Sequence, residues 1–100
     1  MQIDDIEKFI SEQVIAHFVK LLSKSDSHVV IGNCASVIGN LCSKEQFVKL
    51  VVKHNGIVEL VNVIKQTETS AMQESAQKNA AVALARLSQF GTYIRVVYIC

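Results

Sequence analysis

The 100-residue sequence predicts an all-α fold of stacked helices, a solenoid, on three observations. Apolar residues recur at helical spacing along nearly the whole chain. There is no proline and there are only four glycines, so the turns of a loop-rich or all-β domain lack their usual residues. The second half of the chain also repeats the pattern of the first. Half the residues are apolar, enough to build one core in a chain of this length.

The elements follow in order. Ile3, Ile6, Phe9 and Ile10 predict a helix over 3–11, and Val14, Ile15, Phe18, Val19, Leu21 and Leu22 predict a second over 13–23. The polar run SKSDS (23–27) breaks the pattern and offers Ser25 or Asp26 as an N-cap. From His28 to Cys42 the stretch containing NCASVIGNLC (33–42) keeps the helical period through Val30, Ile31, Cys34, Ala35, Ile38, Leu41 and Cys42. Gly32 and Gly39 each cost a helix interior roughly 1 kcal/mol against alanine, so close approach of a neighbouring helix, or of a ligand backbone, is expected there.

Ser43 and Gln46 have capping-box spacing and open a helix whose Phe47, Leu50, Val51 and Val52 face inward. In HNG (54–56), Asn55 and Gly56 both tolerate the left-handed conformation of a helix stop. A helix over 57–65 follows, then the polar run QTETS (66–70). Ser70 and Gln73 form a second capping-box pair, opening a long helix to about Gln89. Gly91 ends it, and TYIRVVYIC (92–100) is a seventh apolar segment, read as helical from its alignment with an earlier one.

That alignment is internal. A shift of 42 places FVKLL (18–22) on LVNVI (60–64). A shift of 46 places NCASVIGNLC on NAAVALARLS (79–88), and EQFVKLVV (45–52) on GTYIRVVY (91–98). The second copy is thus longer by four residues, 46 minus 42, around QTETSAMQES. A period near 40–47 residues with two or three helices belongs to armadillo and HEAT solenoids. The copies run over about 1–42 and 43–88, with a partial third over 89–100.

On these residues the chain resembles the armadillo-repeat family. KHNGIVELVNVI (53–64) is similar to the family's glycine junction and second helix, and ASVIGNLCS (35–43) to its "WALSNLAS" ending of the third helix. The resemblance implies a right-handed α-solenoid of about two armadillo repeats plus the first helix of a third. The first copy departs from the pattern in lacking the junction glycine, with Val14 near that place. Peptide-binding members of the importin-α type carry Trp and, four residues on, Asn on their third helices. Here Ser36 and Asn40 stand at those positions in one copy and Val82 and Arg86 in the other, which argues against a groove for basic nuclear-import peptides.

The third helices also carry the candidate binding residues. With Cys34, Ala35, Ile38 and Leu41 buried, Asn33, Ser36 and Asn40 fall along an opposite stripe. The stripe in the second copy is Ser75, Asn79, Val82 and Arg86. Stacked third helices form the concave surface of such solenoids. An amide offers a donor and an acceptor to an extended backbone, so the row reads as a ladder for a protein or peptide segment; the other reading is a solvated helix face. At the chain end, Val96, Val97, Tyr98 and Ile99 are apolar without following helices to cover them. Either the chain is part of a longer solenoid, or this end self-associates into a homo-oligomer.

Other function classes find little support. Ten basic and nine acidic residues give a net charge of +1, split −2 over residues 1–43 and +3 over 44–100, too balanced for a nucleic-acid or anionic-membrane surface. The acidic start MQIDDIEKFI is unlike a signal peptide, and no window reaches the ~20 apolar residues of a membrane span. A cytoplasmic location is expected, with the nucleus as alternative. Cys34 and Cys42 lie eight apart, about 12 Å along a helix and too far for a disulfide, so both read as reduced core residues. His17, His28 and His54 are scattered, no metal-ligand or nucleophile–base spacing is present, and neither cofactor nor enzymatic activity is expected.

Overall fold

The structure, a computed structural model, describes residues 3–66 and 70–90; of residues 3 and 4 it describes the backbone alone. Those residues form five α-helices and a terminal 3-10 turn: α1 Ile3–Lys24, α2 His28–Leu41, α3 Glu45–Lys53, α4 Gly56–Lys65 and α5 Ala71–Leu87, then Ser88–Phe90. No strand occurs among the described residues, and the fold is an all-α solenoid. The body measures 47 × 29 × 19 Å. The segment 91–100, with Val96, Val97, Tyr98 and Ile99, lies outside the described residues.

The first difference from the sequence reading is that the two helices expected over 3–11 and 13–23 are one. α1 runs through Ser11, Glu12 and Gln13 without a break, because no glycine or proline interrupts the backbone bonds there. The equivalent joint in the second half does break. His54 and Asn55 close α3, each donating its N–H to an α3 carbonyl, and Asn55 takes the left-handed conformation with φ 65°. Gly56 then starts α4 under strict spatial demand: a Cβ there would sit 2.4 Å from Val51 Cγ1 and 2.8 Å from the Val51 carbonyl oxygen.

The caps also differ in detail. α2 is capped by Ser27, whose hydroxyl accepts the Val30 N–H at 3.3 Å, while the Ser25 hydroxyl accepts the Ser27 N–H. The turn therefore starts one or two residues after the expected Asp26 or Ser25. Ser43 does not cap α3. Its hydroxyl donates back to the Asn40 carbonyl at the end of α2, and Lys44 occupies the cap position through extended backbone. Ser70 does cap α5, accepting the Gln73 N–H at 3.1 Å. The Gln73 side chain, buried, donates to Gln66 Oε1 at 3.4 Å, bridging the polar run before α5.

One cluster of buried apolar residues draws on all five helices. It includes Ile15 and Val19 of α1, Ile31 and Ile38 of α2, Val48 and Val51 of α3, Leu60 of α4, and Ala80 and Ala83 of α5. Cys34 and Cys42 are buried in it as free thiols. α2 and α5 make the most extensive pairing and run parallel, with Gly32 facing Ala76 and Gly39 facing Ala83. The two glycines therefore do serve helix packing. A Cβ at either would make only ordinary contacts, 3.4 Å from the Ala76 Cα and 3.5 Å from the Ala83 Cα.

Candidate functional site

The α2–α5 seam positions the stripe residues. Small side chains on both helices (Gly32, Ala35 and Gly39 against Ala76, Ala80 and Ala83) are buried, and the polar residues beside them come to the surface. Asn33, Ser36 and Asn40 are exposed on α2; Ser75 and Val82 are exposed, and Asn79 and Arg86 half-buried, on α5.

Two hydrogen bonds cross the seam. Asn79 Nδ2 donates to the Gly32 carbonyl at 3.1 Å, where the close approach at Gly32 brings the α2 backbone within reach of the amide. Arg86 Nη1 donates to Asn40 Oδ1 at 3.1 Å. Between them, one helical turn from each, stand Ser36 and Val82. Asn33, Ser75 and Asn79, with Val29, Gly32 and Met72, line a shallow depression of about 120 Å³ at the amino-terminal ends of the two helices. All seven expected residues thus share one face, though three of them, Asn40, Asn79 and Arg86, are engaged with the neighbouring helix in ways their spacing did not reveal.

These bonds set what the face can offer. Asn79 commits a donor to α2, leaving its carbonyl oxygen as its acceptor. Asn40 accepts from Arg86 and keeps its amide N–H donors, and the guanidinium has further donors of its own. Arg86 is the one formal charge among the seven residues. It also acts on the buried Cys42, whose thiol is pushed up to about 11 by burial and drawn back partly by that positive charge. Burial likewise raises the Cys34 thiol.

Two other features escaped the sequence reading. Gln77 Nε2 donates to the carbonyls of Gln66, Ile64 and Val63 at 2.9, 3.1 and 3.4 Å, satisfying the open end of α4 from α5. Glu12, on the unbroken middle of α1, accepts from Lys53 Nζ at 2.6 Å and lies 3.1 Å from His54 Nε2. The bonds from Lys53 first, and from His54, hold the Glu12 carboxyl below the ordinary carboxylate range. A larger open cleft of about 570 Å³ lies between α1 and α3, lined by Glu7, Lys8, Ser11, Gln46, Phe47 and Leu50 among others. It contains none of the stripe residues. Among the described residues no three His, Cys, Asp or Glu side chains converge as a metal site, and no helix is long and apolar enough to cross a membrane.

Comparison with curated proteins and with solved structures gave no match. Residues 4–43, spanning nearly all of α1, the whole of α2 and the turn after it, match the model of the armadillo/beta-catenin-like repeat. Over these 40 of the 100 residues the chain is similar to an armadillo repeat, and such repeats are generally protein-interaction scaffolds and typically non-enzymatic.

Proposed function

We propose that this protein holds an extended segment of a protein partner on the face formed by α2 and α5. The observation that carries the reading is the pair of cross-seam bonds, Asn79 to Gly32 and Arg86 to Asn40, which fix four polar groups along one surface of two parallel helices. Groups held in this way lose less conformational freedom on binding than free side chains. The donors of Asn40 and Arg86 suit backbone carbonyls or a carboxylate, and the Asn79 carbonyl suits a backbone N–H. A cationic Arg86, with Val82 rather than an aromatic residue one turn before it, disfavours a basic peptide. The same reading takes 43–88 as a second repeat stacked on the first, supported by the parallel pairing of α2 and α5.

The test is a peptide-library selection against the native chain, followed by titration of the selected peptides against a variant carrying Asn33→Ala, Asn40→Ala, Asn79→Ala and Arg86→Ala. Binding should fall by tenfold or more, about 1.4 kcal/mol, with the helical circular dichroism unchanged. Selected peptides that bind the folded variant as tightly as the native chain would sink the proposal.

A further inference from the structure

α1 is apolar on two faces. One face, with Ile15, Val19 and Leu22, is buried in the core. The other, with Ile6, Phe9, Ile10 and Val14, stands in solvent, Phe9 at 64% of its full exposure. The internal shift of 42 explains the second face. It places Ile6, Phe9 and Ile10 on Val48, Val51 and Val52, and Val14 on Gly56, all four of which are buried, on the helices α3 and α4 that contact α1. At the other end of the body the relation inverts. Ile15, Val19 and Leu22 correspond to Ile57, Val61 and Ile64, of which the first two are only half-buried and Ile64 is 38% exposed.

This exchange of burial between equivalent positions identifies two complementary surfaces. Ile15, Val19 and Leu22 form the surface that receives the following helices, and Val48, Val51 and Val52 the surface that enters. Among the described residues an exposed entering surface is left on α1 and a partly exposed receiving surface on α4. We propose that the chain self-associates head to tail, the α1 surface of one copy (Ile6, Phe9, Ile10) docking on the α4 surface of a second copy (Ile57, Val61, Ile64), as a continuation of its own internal interface. The polar pattern agrees. Glu12 meets His54 across the internal interface at 3.1 Å, and these two residues are themselves equivalent under the shift. In the head-to-tail contact, His54 of one copy therefore comes opposite Glu12 of the next, again an imidazole beside a carboxylate that can share a hydrogen bond. Such a contact is heterologous, with two different patches, so it extends into longer assemblies instead of closing as a symmetric dimer.

The experiment is sedimentation of the full chain over a concentration series, with the variants Phe9→Glu and Ile64→Glu, both at exposed positions, checked for native circular dichroism. The native chain should gain mass with concentration, each variant alone should weaken association at least about tenfold, and an equimolar mixture of the two should recover dimers. The mixture recovers them because the native α4 surface of the first variant fits the native α1 surface of the second. A native chain that stays monomeric at every concentration overturns the proposal. Undiminished association of Ile64→Glu overturns it too, by pointing to symmetric pairing of α1 with α1.

Discussion

Arg86 on α5 donates a hydrogen bond to Asn40 on α2 at 3.1 Å, joining residues 46 apart, the same interval that relates the two copies of this helix in the sequence. Equivalent positions on the two helices are therefore side-by-side neighbours. An exposed hydrogen bond contributes little to stability, so Asn40→Ala, Arg86→Ala and the double variant should each unfold within about 1 kcal/mol of the native chain. A double-mutant cycle by urea denaturation should return a small favourable coupling, about 0.5 kcal/mol. Strict additivity would mean that the bond does not persist in solution.

Glycine substitutions should separate sharply. Gly56→Ala drives a methyl into the Val51 side chain and carbonyl, a backbone obstacle that cannot rotate away, and should destabilise by about 1–3 kcal/mol. Gly39→Ala meets only ordinary contacts at 3.5 Å and relieves a helix-interior glycine, so it should be neutral or stabilising by up to about 1 kcal/mol. Denaturant midpoints at equal m-value decide the matter. A Gly56→Ala variant as stable as the native chain would mean the α3–α4 corner is looser than described.

The clasp of Glu12 with Lys53 and His54 predicts a pH dependence. Its carboxyl is held below the ordinary range in the folded chain, so the stability it contributes is present above the unfolded carboxylate's pKa and is lost as pH falls through the lower, folded value. Glu12→Gln should therefore melt below the native chain at pH 7, and the two melting temperatures should converge towards pH 3. Raising the salt concentration should narrow the gap at pH 7, since these groups are partly exposed. A gap unchanged across the pH range would assign the effect to something other than ionisation.

Thiol reactivity tests the core. A Cys42 thiol pushed up to about 11 from an ordinary 9 holds roughly a hundredfold less thiolate at neutral pH. Peptide-resolved alkylation should find Cys42 and Cys34 labelled far more slowly in the native chain than in urea. Equal rates in both conditions would contradict the burial of these residues.

Much of this was legible in the chain because it depends on local pattern. Apolar spacing marks four of the five helices close to their observed bounds, Ser70 supplies its cap, and Gly32 and Gly39 point to the close seam. What failed had a physical reason. The break expected after Ser11 does not form, because no glycine or proline there opposes helix continuation. Ser43 has capping-box spacing, yet its hydroxyl finds the Asn40 carbonyl closer at hand. The stripe could be placed on one face from spacing alone. Its bonds could not, because whether Asn79 reaches Gly32 or Arg86 reaches Asn40 depends on how far one helix is advanced along the other. Gln77 was missed for the same reason: its three acceptors belong to a helix that only folding brings beside it.

Two contacts, Gly32 with Ala76 and Gly39 with Ala83, lie two helical turns apart and act as paired spacers of nearly equal thickness. Equal spacers keep neighbouring helices level, so the polar rungs stay evenly separated from one end of the seam to the other. Unequal ones would act as a wedge: a bulkier side chain at Ala76 would fan the helices open at their amino ends while Ala83 still pinned the far end. The taper of the α2–α5 seam, and with it the angle between the two helices, is thus written in buried residues of the smallest size.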